Sequence, residues 1–120
     1  MWEKLQEVFE ELQQENNSMY ARQGSFTELE TIPDDLYSFW NISSDLSGFY
    51  NNRPSQCVWE WNICYYTNNA ANLYKGLIDF TNKAMEKGFI IKNLGKDIPV
   101  DEPHYYGRYT TVQYIQNLTN

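Results

Sequence analysis

One histidine, His104, and two cysteines, Cys57 and Cys64, are all that the chain offers to a soft metal or to thiol chemistry. A multi-histidine or paired cysteine–histidine metal site cannot be assembled from so few ligands. The sequence has neither a phosphate-cradling glycine loop nor a GxSxG turn, so the common nucleotide-binding and serine-hydrolase signatures are missing. Long apolar runs are missing too. None approaches the ~20 residues that a membrane-spanning helix needs, and the opening MWEKLQEVFEEL is charged where a signal peptide would be apolar. Positive charge is scarce: nine Lys and Arg stand against sixteen Asp and Glu, a formal net charge of −7. Such a chain does not grip nucleic acid by neutralising phosphates. The expectations are synthesis in a reducing cytoplasm, no membrane, no cofactor and no catalytic activity.

What the chain has in excess is aromatic surface. Ten tyrosines are present alongside six phenylalanines and four tryptophans. Tyrosine joins apolar area to a polar tip and is favoured at protein interfaces, although strands and cores use it as well. The 120 residues fit one domain, 1–120, with one modest core.

Periodicity places the elements. Trp2, Leu5, Val8, Phe9 and Leu12 recur at helical spacing and predict an amphipathic helix over 1–16, with a short strand to follow near 19–23. Pro33 and two aspartates mark a turn into an extended segment from Leu36 to Ile42, which a polar turn at Ser43, Ser44 and Asp45 is expected to end. The strongest strand is QCVWEWNICYYT, with Cys57, Trp59, Trp61, Ile63 and Tyr65 on one face and Val58, Glu60, Asn62, Cys64 and Tyr66 on the other. Alternation makes both tryptophans core residues. The two cysteines, seven apart, fall on opposite faces, roughly 23 Å from each other at ~3.3 Å per residue, and stay free thiols within one chain.

Asn68 and Asn69 are natural caps for a second helix over about 70–87, with Leu73, Tyr74, Leu77, Ile78, Phe80, Ala84 and Met85 as its apolar stripe and Gly88 as its stop. FIIKNLGKDIPVDEP predicts a short strand and a proline-stiffened loop, and RYTTVQYIQ a last strand. The fold class that follows is α+β: an antiparallel (mixed) twisted sheet with two amphipathic helices packed on one face, in the order α-β-β-β-α-β(β).

The stretch DEPHYYGR, residues 101–108, holds the lone histidine between carboxylates and an arginine. Histidine beside carboxylate is the raw material of acid–base catalysis, but the same residues suit a fixed loop or a subunit contact, with Arg108 forking onto an acidic neighbour and Asp101 or Glu102 as acceptors.

The runs IPDDLYSFWNISSDLSGFYNN (32–52), WEWNICYYTNN (59–69) ahead of LYKGL, and KGFIIKNLGKDIPVDEPHYYGRYTTVQYI (87–115) resemble small tail-assembly proteins of long-tailed bacteriophages. The class they are most similar to is the tail terminator or tail-completion proteins, and the resemblance covers most of the chain from Pro33 onward. It implies a virion protein that forms a homo-oligomeric ring, usually a hexamer, at the head-proximal end of the tail. Such a ring halts elongation of the tube, meets the major tail tube protein on one side and the head–tail connector or stopper on the other, and lets DNA pass without reading it. No catalytic residue carries over. The candidate interface residues are Phe49, Tyr50, Arg53, Asp101, Glu102, His104, Tyr105, Tyr106 and Arg108. Two other classes fit the composition: a small acidic phage-encoded protein that inhibits a host protein by binding it, and a small hydrolase pairing Cys57 or Cys64 with His104.

Overall fold

A computed structural model describes residues 2–15, 19–23, 34–49, 52–100 and 104–118. Helix α1 (Trp2–Glu15) leads into strands β1 (Met19–Gln23), β2 (Asp35–Ser47) and β3 (Gln56–Thr67). A 3₁₀ turn (Ala70–Asn72) opens helix α2 (Leu73–Glu86), and β4 (Ile90–Asn93), β5 (Asp97–Ile98) and β6 (Tyr106–Asn117) complete the chain. The six strands form one sheet in the order β1-β2-β3-β6-β4, with β5 also paired to β6. Only the β1–β2 pair is parallel, so the fold is the expected α+β arrangement with a mixed, largely antiparallel sheet.

Both helices lie on one face of that sheet. Leu5, Val8, Phe9 and Leu12 of α1 and Leu73, Leu77, Phe80 and Ala84 of α2 bury against Tyr37, Phe39, Trp61, Ile63, Tyr65 and Val112. Aromatic rings fill the centre: Phe9 stacks on Phe39 and Phe80 at centroid distances of 4.8 and 5.4 Å. Three residues of the expected α2 stripe do not join this core. Tyr74, Ile78 and Met85 are exposed, because α2 already spends its inner arc on Leu73, Leu77, Phe80 and Ala84 and rests on the sheet along that arc alone. Across the helix seam Lys83 meets Glu15 at 2.7 Å and Lys87 meets Glu11 at 3.0 Å, surface pairs that add little to the apolar packing beneath them.

The caps follow the sequence. The side chain of Asn69 accepts from the backbone N–H of Ala71 at 3.1 Å, and Gly88, at φ +95°, lets Phe89 N–H reach back to Ala84 O at 2.9 Å.

The expected turn at Ser43, Ser44 and Asp45 does not exist; β2 runs through it to Ser47. The pairing with β3 shifts by one residue between Asn41 and Ser43, leaving Ile42 as the extra residue of a bulge. The Asn41 amide staples it, donating to Ser43 O at 2.9 Å and Glu60 O at 2.8 Å, and Ser44 Oγ donates to Asn41 Oδ1 at 3.0 Å. Polar residues that read as a turn are here the side chains that hold a kinked strand together.

Candidate functional interface

Two helices of 14 residues span about 21 Å each, while strands of 12 and 13 residues reach about 40 Å. The sheet therefore outruns its helical cover, and the molecule is elongated at 54 × 27 × 25 Å. The uncovered end is an arm made of β2 beyond its bulge, the start of β3 and the end of β6, in register through Ser47↔Gln56 and Gln56↔Asn117. Its backbone is closed at the tip, where Ser55 N–H donates to Ser47 O at 3.1 Å and Leu118 N–H to Ser55 O at 2.8 Å. Cys57 is buried there, but Leu46, Phe49, Ile115 and Leu118 all stand in solvent, Phe49 at 63 % of its full exposure. Arg53, also exposed, is the sole charged residue between Leu46 and Trp59.

At the other end of the sheet, about 36 Å away by strand register, Thr67 pairs with Tyr106. Arg108 points to the helix side there and is fully employed. Its Nη1 donates to Asp97 Oδ1 at 2.8 Å, Nη2 to Gly95 O at 3.1 Å and Nε to Leu94 O at 3.2 Å, and the guanidinium lies 4.9 Å from the Tyr74 ring centroid. Among the described residues the carboxylate on the fork is Asp97. Asp101, Glu102 and Tyr50 lie outside the described residues. His104 is exposed at φ +69°, Tyr105 is half-buried and Tyr106 is exposed. Replacement of Arg108 by alanine is therefore expected to weaken the subunit itself, by about 2 kcal/mol in urea unfolding. Lysine should rescue little, since it lacks the planar fork.

On the flank of α2 that faces α1, its first turns meet the ends of α1, β2 and β3 around a notch of about 180 Å³. Glu15, Asp35 and Asp79 line it together with Lys75; Lys75 reaches Asp79 Oδ2 at 3.2 Å, and Lys83 holds Glu15 at 2.7 Å. Tyr65 OH donates to Asp35 Oδ1 at 2.7 Å and Tyr37 OH to Gly76 O at 2.6 Å. Burial drives the phenols of Tyr37 and Tyr65 well above their ordinary range, with the nearby carboxylates adding to it.

The candidate residues thus divide between the two ends: Phe49 and Arg53 on the arm, Tyr106 and Arg108 at the far end. Leu46, Ile115, Leu118, Tyr74 and Ile78 join them. Strand and helix lengths carry the signal for the arm residues, since a sheet twice as long as its helices must leave part of itself bare.

Searched against protein-family models and curated proteins, the chain matches none.

The thiols sit poorly for nucleophilic work. Both are buried, and burial pushes Cys64 up from 9.0 to about 11, so it is protonated at neutral pH. Tyr66, hydrogen-bonded to it, is raised too. Groups whose folded-state pKa is raised contribute stability that is complete below their unfolded value and disappears as pH climbs through the folded one. Cys64 and Tyr37, Tyr65 and Tyr66 act together, so stability should be flat through neutrality and fall above pH 9.0. Unfolding midpoints measured from pH 7 to 11 check this, with phenolate absorbance rising at the unfolding transition; a midpoint constant across that range would contradict it.

Proposed function

We propose that this chain is a ring-forming virion subunit at the head-proximal end of a long phage tail, where it terminates the tail tube and joins it to the head connector. One observation carries the reading: a single subunit presents two separate apolar surfaces, the arm with Leu46, Phe49 and Leu118 and the outer stripe of α2 with Tyr74, Ile78 and Met85. Large exposed apolar patches mark contact sites. A ring needs two unlike surfaces on each subunit, because each copy gives one and receives on the other. The resemblance from Pro33 onward supplies the tail setting, and the charge of −7 suits a passage that must not hold DNA. An inhibitor that covers one host surface would need only one such patch.

Electron microscopy of virions tests the proposal. The protein should form a ring between tail tube and connector, and phage lacking its gene should accumulate filled heads beside unjoined or overlong tails. Normal tails in its absence, with the protein found only outside the virion, would reject it.

A further inference from the structure

We infer that neighbouring copies meet edge to edge, with Lys96 of one copy seated in the groove between α1 and β1 of the next. The seam rests on the ring reading and names the two flanks that meet.

The groove, about 210 Å³, is lined by Gln6, Phe9, Glu10, Gln13, Ala21 and Phe39. Phe9 and Phe39, buried and stacked on each other, give it an apolar floor, and the exposed Gln6, Glu10 and Gln13 give it a polar rim. The carboxylates of α1 divide by flank. Glu7, Glu11 and Glu15 turn toward α2, where Lys87 and Lys83 hold them. Glu10 lies on the other flank and has no ion pair or hydrogen bond among the described residues. A groove of this kind suits an aliphatic cation, whose methylenes cover the rings while its head reaches the carboxylate.

The chain itself carries such a cation. Lys96 stands exposed in the turn between β4 and β5, and it too has no carboxylate partner among the described residues. Lys4, Lys75, Lys83, Lys87, Lys92 and Arg108 are all held within their own subunit. Arg53 is the other described cation without a partner.

Height along the strands decides between the two. Arg22, Ser38, Cys64 and Tyr109 share one rung of the sheet, and Tyr109 N–H donates to Lys96 O at 3.2 Å. Ala21 and Phe39 of the groove adjoin that rung. Lys96 and the groove therefore sit level at opposite edges of the sheet, one beside β4 and the other beside β1. Rotation about an axis along the strands carries one onto the other with no step, which is what closure requires. Arg53 lies beyond Gln56, itself about 26 Å along β3 from Cys64 at ~3.3 Å per residue. Seating it in the groove would add a rise at every copy and wind an open helix. Contacts between like flanks are disfavoured as well, because they set Lys96 against Lys96 or Glu10 against Glu10.

A charge swap tests the seam. Sedimentation at low salt should show Lys96→Glu and Glu10→Lys each weakening self-association at least tenfold, with the monomer's unfolding midpoint in place because neither side chain has a partner in its own subunit. Arg53→Glu should leave association unchanged. An equimolar mixture of Lys96→Glu and Glu10→Lys should return to within about threefold of wild type, since alternating copies then place opposite signs at every seam. Lys96→Cys and Gln13→Cys add a covalent readout, because the natural thiols are buried. A short bismaleimide should join these two single variants to each other, and the double variant should give a ladder that ends at a closed species of fixed size. A mixture no better than its components, a loss with Arg53→Glu equal to that with Lys96→Glu, self-linking of Lys96→Cys alone, growth without limit as concentration rises, or a wild-type chain still monomeric at ~1 mM would overturn the seam. Rings seen on virions despite failed swaps would leave the ring reading standing without this seam. Swaps that behave as expected, with the protein absent from virions, would keep the seam and remove the tail assignment.

Discussion

Gly76→Ala should cost this protein about 3 kcal/mol, the reverse of what the substitution does in most helices. Alanine is ordinarily worth about 1 kcal/mol more than glycine in a helix interior. At Gly76, though, a Cβ would stand 2.3 Å from two ring carbons of Tyr65 and 2.8 Å from a third. That ring cannot step aside. Its hydroxyl is tied to Asp35 at 2.7 Å, its face lies 4.9 Å from the Tyr37 ring, and Tyr37 is itself bound to Gly76 O at 2.6 Å. The methyl must push α2 off the sheet, where Leu77 and Phe80 are packed. Urea unfolding gives the measurement, with Asn82→Ala on the exposed side of α2 as the control that should be neutral or mildly stabilising. An unchanged midpoint for Gly76→Ala would mean that the helix is not held against Tyr65.

The second large effect is at Trp61. Its side chain is 4 % exposed and lies 6.2 Å from the Phe39 ring centroid beneath the helices, so Trp61→Ala should cost about 3 to 5 kcal/mol and leave little soluble protein. Trp59, two residues earlier on the same face, is only half-buried and donates from Nε1 to Gln116 Oε1 at 2.9 Å. Its alanine variant should lose about half as much. Trp61→Phe keeps the apolar ring and should unfold with a measurable midpoint even if the alanine variant does not accumulate. A stable, folded Trp61→Ala would overturn the core assignment.

The contrast between the two tryptophans marks how far the sequence could be read. Period-2 alternation put both on the helix side, and they are there. It carries no information on where along the strand the helices stop, and that decides burial. The amphipathic stripe of α1, the Asn69 cap and the Gly88 stop were legible because each is a local rule with a local partner. The length of β2 was not, since Ser43, Ser44 and Asp45 satisfy turn chemistry and bulge chemistry equally well; the choice was made by Glu60, whose carbonyl lies on another strand. Arg108 shows the same limit. A forked donor near carboxylates was visible, but its acceptors, Asp97 and two backbone carbonyls, come from a turn that only the β5–β6 pairing brings within reach.

The bulge at Ile42 also has a bearing on where the arm points. Asn41 pairs with Trp61 and Ser43 with Glu60, so Ile42 is the one residue of β2 whose deletion leaves every other strand partner unchanged. Bulges bend and overtwist the strand that carries them, which makes this residue a setting for the direction of the arm relative to the helices. A chain lacking Ile42 would fold with the same ladder and point its arm at another angle to the helices.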